Sequence, residues 1–172
     1  MEKVNYLIKI FLLFFCLLFE KSDHDLSTDQ NIDVGDSLEI KFLKHGKLYL
    51  KNENSLLKKI DIELAEKYTE KRNGLKYRSF LEEDRGMLFI FQHPEEYQMI
   101  DMKNMRIPLD IVYINEYGVV VYIDRNISPM RKLEIFNPTS LIKYVLEINS
   151  GMSNKWGIKE GITKIYLDFN AK

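Results

Sequence analysis

The chain has 172 residues, with 25 Lys plus Arg against 26 Asp plus Glu and a 45% hydrophobic fraction, which is the size and balance of one globular domain with a real core. A formal net charge of -1 sets up no basic field to gather nucleic acid and no acidic tail to recruit basic partners, so nucleic acid is not an expected partner. Cys16 is the single cysteine, which leaves the folded part with neither a disulfide nor a thiolate zinc site.

In chain order, the first element is "IFLLFFCLLF", an unbroken apolar run from Ile10 to Phe19 behind Lys3 and Lys9. It has the length of a secretory h-region and falls short of the roughly 20 residues that span a bilayer. Residues 1–22 are therefore expected to be a signal peptide or a membrane anchor. Phe19, Glu20 and Lys21 offer none of the small residues that signal peptidase prefers, so cleavage and retention both stay open. Cys16 follows the bulky Phe15 and reads as an apolar residue of the run, with lipid attachment as the alternative. The expected address is outside the cytoplasm, either periplasmic or membrane-anchored facing the extracytoplasmic side. Residues 23–37, "DHDLSTDQNIDVGDS", are polar and aperiodic and read as a linker.

A single β domain is expected over residues 38–172. "LEIKFL" and "KLYLK" flank "KHG" and predict a first hairpin, and "IDIELA" at 60–65 alternates as a further strand. "EKYTEKRNGL" predicts a short helix ended by Gly74 in the left-handed C′ conformation. Strands are predicted again at 86–91, 108–114, 119–124, 144–148 and 162–169, with the tight-turn signature "NEYG" joining the strands at 108–114 and 119–124. Many short strands with little helix predict a compact antiparallel β-sandwich or small barrel with one or two short helices.

The motifs "GLKYR" (74–78), "GMLFIF" (86–91), "DMKNMRIPLDIVYI" (101–114), "NISP" (126–129), "YVLEINSG" (144–151) and "GIKEG" (157–161) occur in an order that resembles domain-of-unknown-function family 192, also called uncharacterised protein family 0127, over about residues 58–166. The resemblance implies a compact, mainly β domain, often exported or membrane-tethered in bacteria, with no established activity. It breaks at three places. The family has Met where this chain has Lys76, an aromatic pair including a tryptophan where this chain has Ile100 and Asp101, with Met105 in place of a threonine, and Gly-Asp where this chain has Gly161 and Ile162. It holds at Arg78, Gly86, Lys103, Asn104, Pro108, Asp110 and Glu147.

Each matching residue also has a structural reading. Gly86 is expected at a turn or a close backbone approach, and Pro108 at the first residue of an edge strand. Asp110 is followed by Ile111, Val112 and Tyr113, so it is expected to be buried and to accept hydrogen bonds from backbone amides or from Arg78, Lys103 or Asn104. Arg78, Lys103, Asn104 and Asp110 are the candidate ligand-binding residues. His24, His45 and His93 are far apart, no phosphate loop, dinucleotide fingerprint or nucleophile elbow is present, and "EED" at 82–84 reads as a solvated loop. No cofactor or metal is expected. Trp156 reads as a core cap at the end of a short helical turn.

Two function classes stay open. The leading one is a non-catalytic module that binds a small molecule or an envelope protein, since no nucleophile, metal or cofactor motif supports catalysis. The alternative is an envelope-associated hydrolase or isomerase with Asp110 as base and Lys103 or Arg78 stabilising charge.

Overall fold

The structure, a computed structural model, describes residues 39–133 and 138–169. The apolar run, Cys16 and the linker lie outside the described residues. Seven strands form one sheet: β1 (Gly46–Asn52), β2 (Ser55–Ala65), β3 (Arg85–Ile90), β4 (Leu109–Asn115), β5 (Val120–Ile127), β6 (Ile142–Asn149) and β7 (Thr163–Asp168), in the spatial order β5-β4-β6-β3-β2-β1-β7. Two short helices, α1 (Tyr68–Asn73) and α2 (Met152–Lys155), and a 3₁₀ turn, Pro94–Met99, complete the elements of the described residues.

The mainly β expectation holds, but the sheet is mixed and is neither a sandwich of two sheets nor a closed barrel. β2 and β3 pair in parallel. The stretch over 66–84, with α1 inside it, carries the chain back to the end from which β2 began, which is the crossover a parallel pair requires. The sheet's two outer strands meet at one bridge, Val119–Lys164. Beyond it the turn before β7 meets β5, with Gly161 N donating to Val120 O (2.7 Å). The Ile123 amide, on the edge of β5, donates to Glu160 Oε1 (3.1 Å) instead of to a strand carbonyl.

The first expected hairpin does not form. Residues 39–45 carry no strand. His45 donates its amide to Ile62 O (2.8 Å) and accepts from the Leu64 amide at Nδ1 (2.9 Å). β1 instead pairs with β2 across a turn at Glu53, where φ is 50°. α1 is capped by Glu70, whose carboxylate accepts the amides of Glu66 and Lys67. Gly74 ends it with φ 50° and ψ −136°. That is not the left-handed cap expected, though it is a backbone region open to glycine alone.

Burial along each strand reports how many of its faces are covered. β4 is buried at six successive positions, because it lies between β5 and β6 with a core on each side, and its continuous apolar run is the pattern such a strand needs. Pro108 accordingly precedes an interior strand, not the edge strand expected. The inner face holds Leu48, Leu50, Ile62, Leu88, Val112 and Leu146, closed by Trp156. The outer face of the other half holds Met87, Phe89, Ile111, Tyr113 and Val145 under Leu75, Leu81, Met102 and Ile107 from the connecting loops. Gly86 marks a close approach. A Cβ there would sit 2.9 Å from Glu147 O and 3.0 Å from Ile148 Cγ2.

Candidate functional site

Glu63 on β2, Met87 on β3 and Glu147 on β6 stand in one cross-strand row on the outer face. The connection after α1 lies over this row and brings Arg78 down onto Glu63. Arg78 Nη1 and Nη2 donate to Glu63 Oε1 (3.0 Å) and Oε2 (2.5 Å), a bidentate pair with both residues buried. Glu63 also accepts the Leu43 amide. The Arg78 Nε–H is buried with no hydrogen-bond partner.

Glu147 is 3% exposed, and its Oε2 also lacks a partner. It lines a cavity of about 10 Å³ with Gly74, Lys76, Phe89, Asp101 and Met105, room for about one water. Burial pushes its carboxyl up to about 8. Lys76 opposes the rise, Asp101 adds to it, and Arg78 opposes it. Over the cavity, Lys76 Nζ donates to Asp101 Oδ2 (3.1 Å). Two of the positions where the family resemblance breaks thus meet in space, and an ion pair stands where a methionine and a tryptophan are expected.

Beside this roof, three non-glycine residues adopt positive φ: Tyr77 (67°), Asn104 (62°) and Met130 (65°). They hold one another. Tyr77 N donates to Asn104 O (3.1 Å), Asn104 Nδ2 to Tyr77 Oη (2.8 Å), and Asn104 N to Met130 Sδ (3.2 Å). Left-handed backbone at three side-chain-bearing residues stores strain, and such strain collects at binding sites.

On the other side of the Arg78–Glu63 pair, a hollow of about 300 Å³ opens between residues 39–42 and the loop before β3. Arg78, Phe42, Phe80, Leu81 and Arg85 line it. The Arg85 guanidinium sits 4.6 Å from the centre of the Phe42 ring.

The residues expected to act together are split. Arg78 and Asn104 lie on the outer side, and Lys103 is exposed there, with its backbone amide donating to Asp101 Oδ1 (2.7 Å). Asp110 points through the opposite, inner face of β4 and is 0% exposed. Its Oδ1 accepts the amides of Asn126 (2.9 Å) and Gly151 (3.1 Å), and its Oδ2 that of Ser153 (2.8 Å). Of the partners expected for it, the backbone amides are the ones it takes; Arg78, Lys103 and Asn104 do not reach it. Asp110 ties β5 and the start of α2 to β4, so Asp110→Ala is expected to lower the unfolding free energy by about 2–4 kcal/mol by stranding these amides. An unchanged urea midpoint would instead mark a carboxylate kept for a ligand.

Sequence reasoning missed Glu63, which "IDIELA" places on the solvent side of an alternating strand. Among the described residues, no three His, Cys, Asp or Glu converge as metal ligands, and no helix is long and apolar enough to cross a membrane.

The model of the DUF192 family, described as "Uncharacterized ACR", matches residues 49–164. Solved structures are similar too, two of them as follows. One is a protein of unknown function from Novosphingobium aromaticivorans, 28% identical, with a TM-score of 0.60, covering 70% of this chain and 83% of its own. The other, from Sinorhizobium meliloti, is titled a "putative transcription regulator"; it is 27% identical, with a TM-score of 0.62, covering 75% of this chain and 97% of its own. No curated protein matches.

Proposed function

The chain belongs to DUF192, a family of uncharacterized proteins, and from that premise we propose that it is a non-catalytic binding domain for a small amphipathic anion, held at the extracytoplasmic side of a membrane by residues 1–22. The observation that carries the binding reading is Arg78. It is 7% exposed, its Nε–H lacks a partner, and it lines a hollow of about 300 Å³, the lower end of the size range of small-molecule sites. Buried donors without acceptors are rare and costly, and a ligand that supplies the acceptor removes that cost. Lys41 adds positive charge; Arg85 is paired with Glu82 (3.0 Å) and Glu39 also stands at the rim, so a bound anion would compete with these carboxylates, while Phe42, Phe80 and Leu81 offer an apolar wall. A carboxylate on an aromatic or aliphatic stem has this pairing of groups.

The catalytic alternative built on Asp110 with Lys103 or Arg78 draws no support from the geometry. The Asp110 oxygens serve three backbone amides, and Lys103 and Arg78 stand away from them.

Calorimetric titration with benzoate, hexanoate and the neutral benzamide tests the binding reading. The acids are expected to bind at least about tenfold more tightly than benzamide, and Phe80→Ala to weaken benzoate by about the same factor. Equal binding of benzamide, or benzoate affinity untouched by Phe80→Ala, would sink it.

A further inference from the structure

Among the described residues, nothing covers the outer face of β1, β7 and the first half of β2. Leu48 and Leu50 point inward, so Lys47, Tyr49 and Lys51 point out, and the strand registers arrange this surface in rows. Lys59, Tyr49 and Tyr166 form one row, Lys51 and Lys164 the next, and Asp61, Lys47 and Asp168 a third at the far end. Lys44 and Lys47 both pair with Asp61. Lys51, Lys59 and Lys164 enter none of the ion pairs among the described residues. The near-zero charge of the whole chain therefore conceals a locally cationic sheet face with two tyrosines set into it.

The chain also enters the domain across this side of the sheet. The Leu43 amide reaches Glu63 and Lys44 reaches Asp61, both on the outer face of β2. Residues 1–38, which carry the apolar run, precede this segment in the chain.

We infer that this Lys–Tyr face is a docking surface for an anionic lipid bilayer, namely the membrane in which the proposed tether sits; the inference rests on that tether. Ammonium groups on long stems beside tyrosines match phosphate headgroups above an acyl boundary. Tethering raises the local concentration so that a weak contact is populated. Single-stranded nucleic acid fits less well, because the rings it would stack on already carry lysines. Lys51 Nζ is 4.9 Å from the Tyr166 ring centre and Lys59 Nζ 5.4 Å from that of Tyr49. A base would have to displace them.

The test is hydroxyl-radical footprinting of the full chain in nanodiscs of phosphatidylcholine, or of an equal mixture with phosphatidylglycerol. Tyr166 is 48% exposed and Tyr117, on the β4–β5 turn, 77%. Oxidation of Tyr166 relative to Tyr117 is expected to fall at least about threefold in the anionic nanodiscs, and to recover in high salt. The triple variant Lys51→Gln, Lys59→Gln, Lys164→Gln is expected to lose the difference, while the triple Arg variant keeps it. A chain that incorporates but shows the same Tyr166 oxidation in both lipids overturns the face alone. A chain that stays out of both nanodiscs overturns the tether and the face with it. Protection by oligothymidine without any lipid effect overturns the bilayer and gives the face to single-stranded nucleic acid.

Discussion

Arg78→Ala is expected to lower the unfolding free energy by about 3–5 kcal/mol, because it leaves the Glu63 carboxylate buried and without its cation. Glu63 is 4% exposed, so water cannot replace the guanidinium at both oxygens. The double substitution Arg78→Met, Glu63→Leu is expected to recover most of the loss, since apolar side chains of similar volume substitute well for a buried ion pair. It also releases the Leu43 amide, so amide exchange should accelerate at Leu43 while the strands stay protected. Urea unfolding of wild type, single and double variants measures this directly. A single variant as stable as wild type would mean that the pair is not a strut.

Glu147 is expected to make stability fall as pH rises. Its folded-state value of about 8 lies above the roughly 4.3 of an unfolded glutamate. Below both values the two states are equally protonated and burial brings no penalty. Between them the folded protein holds a proton that the unfolded chain has lost, so unfolding becomes progressively easier. Above about 8 the decline levels off, after a loss on the order of 5 kcal/mol. Glu147→Gln removes this linkage. It should match wild type near pH 4 and unfold later than wild type at pH 9. The quantity to measure is the difference between the two proteins, because other groups titrate in both. A difference that stays flat from pH 4 to pH 9 would show that Glu147 is ionised and satisfied in the folded state.

Some of this site was legible before any fold was in hand. Asp110 could be placed in the core because three apolar residues follow it in a strand, and a carboxylate so placed must accept hydrogen bonds. Gly86 could be placed at a close backbone approach. Glu63 could not be found, since alternation in "IDIELA" says which residues share a face and not which face the loops will cover. Glu147 matched the family resemblance, but nothing local shows that its Oε2 lacks a donor.

The sequence by itself determined the strands apart from the one expected at 38–43, the short helix before Gly74, the family and the mainly β class, because side-chain alternation, turn residues and motif order are properties of neighbours along the chain. Only the tertiary structure decided the parallel β2–β3 pair, the open sheet edge held by Glu160, and the separation of Asp110 from Arg78 and Lys103. Strand partners and ion pairs join residues far apart in sequence, and their choice depends on loop paths and on which face each loop covers. The same holds for the Lys–Tyr face. Each lysine looks like ordinary surface charge in its own strand, and the cationic surface exists only once β2, β1 and β7 stand side by side in register.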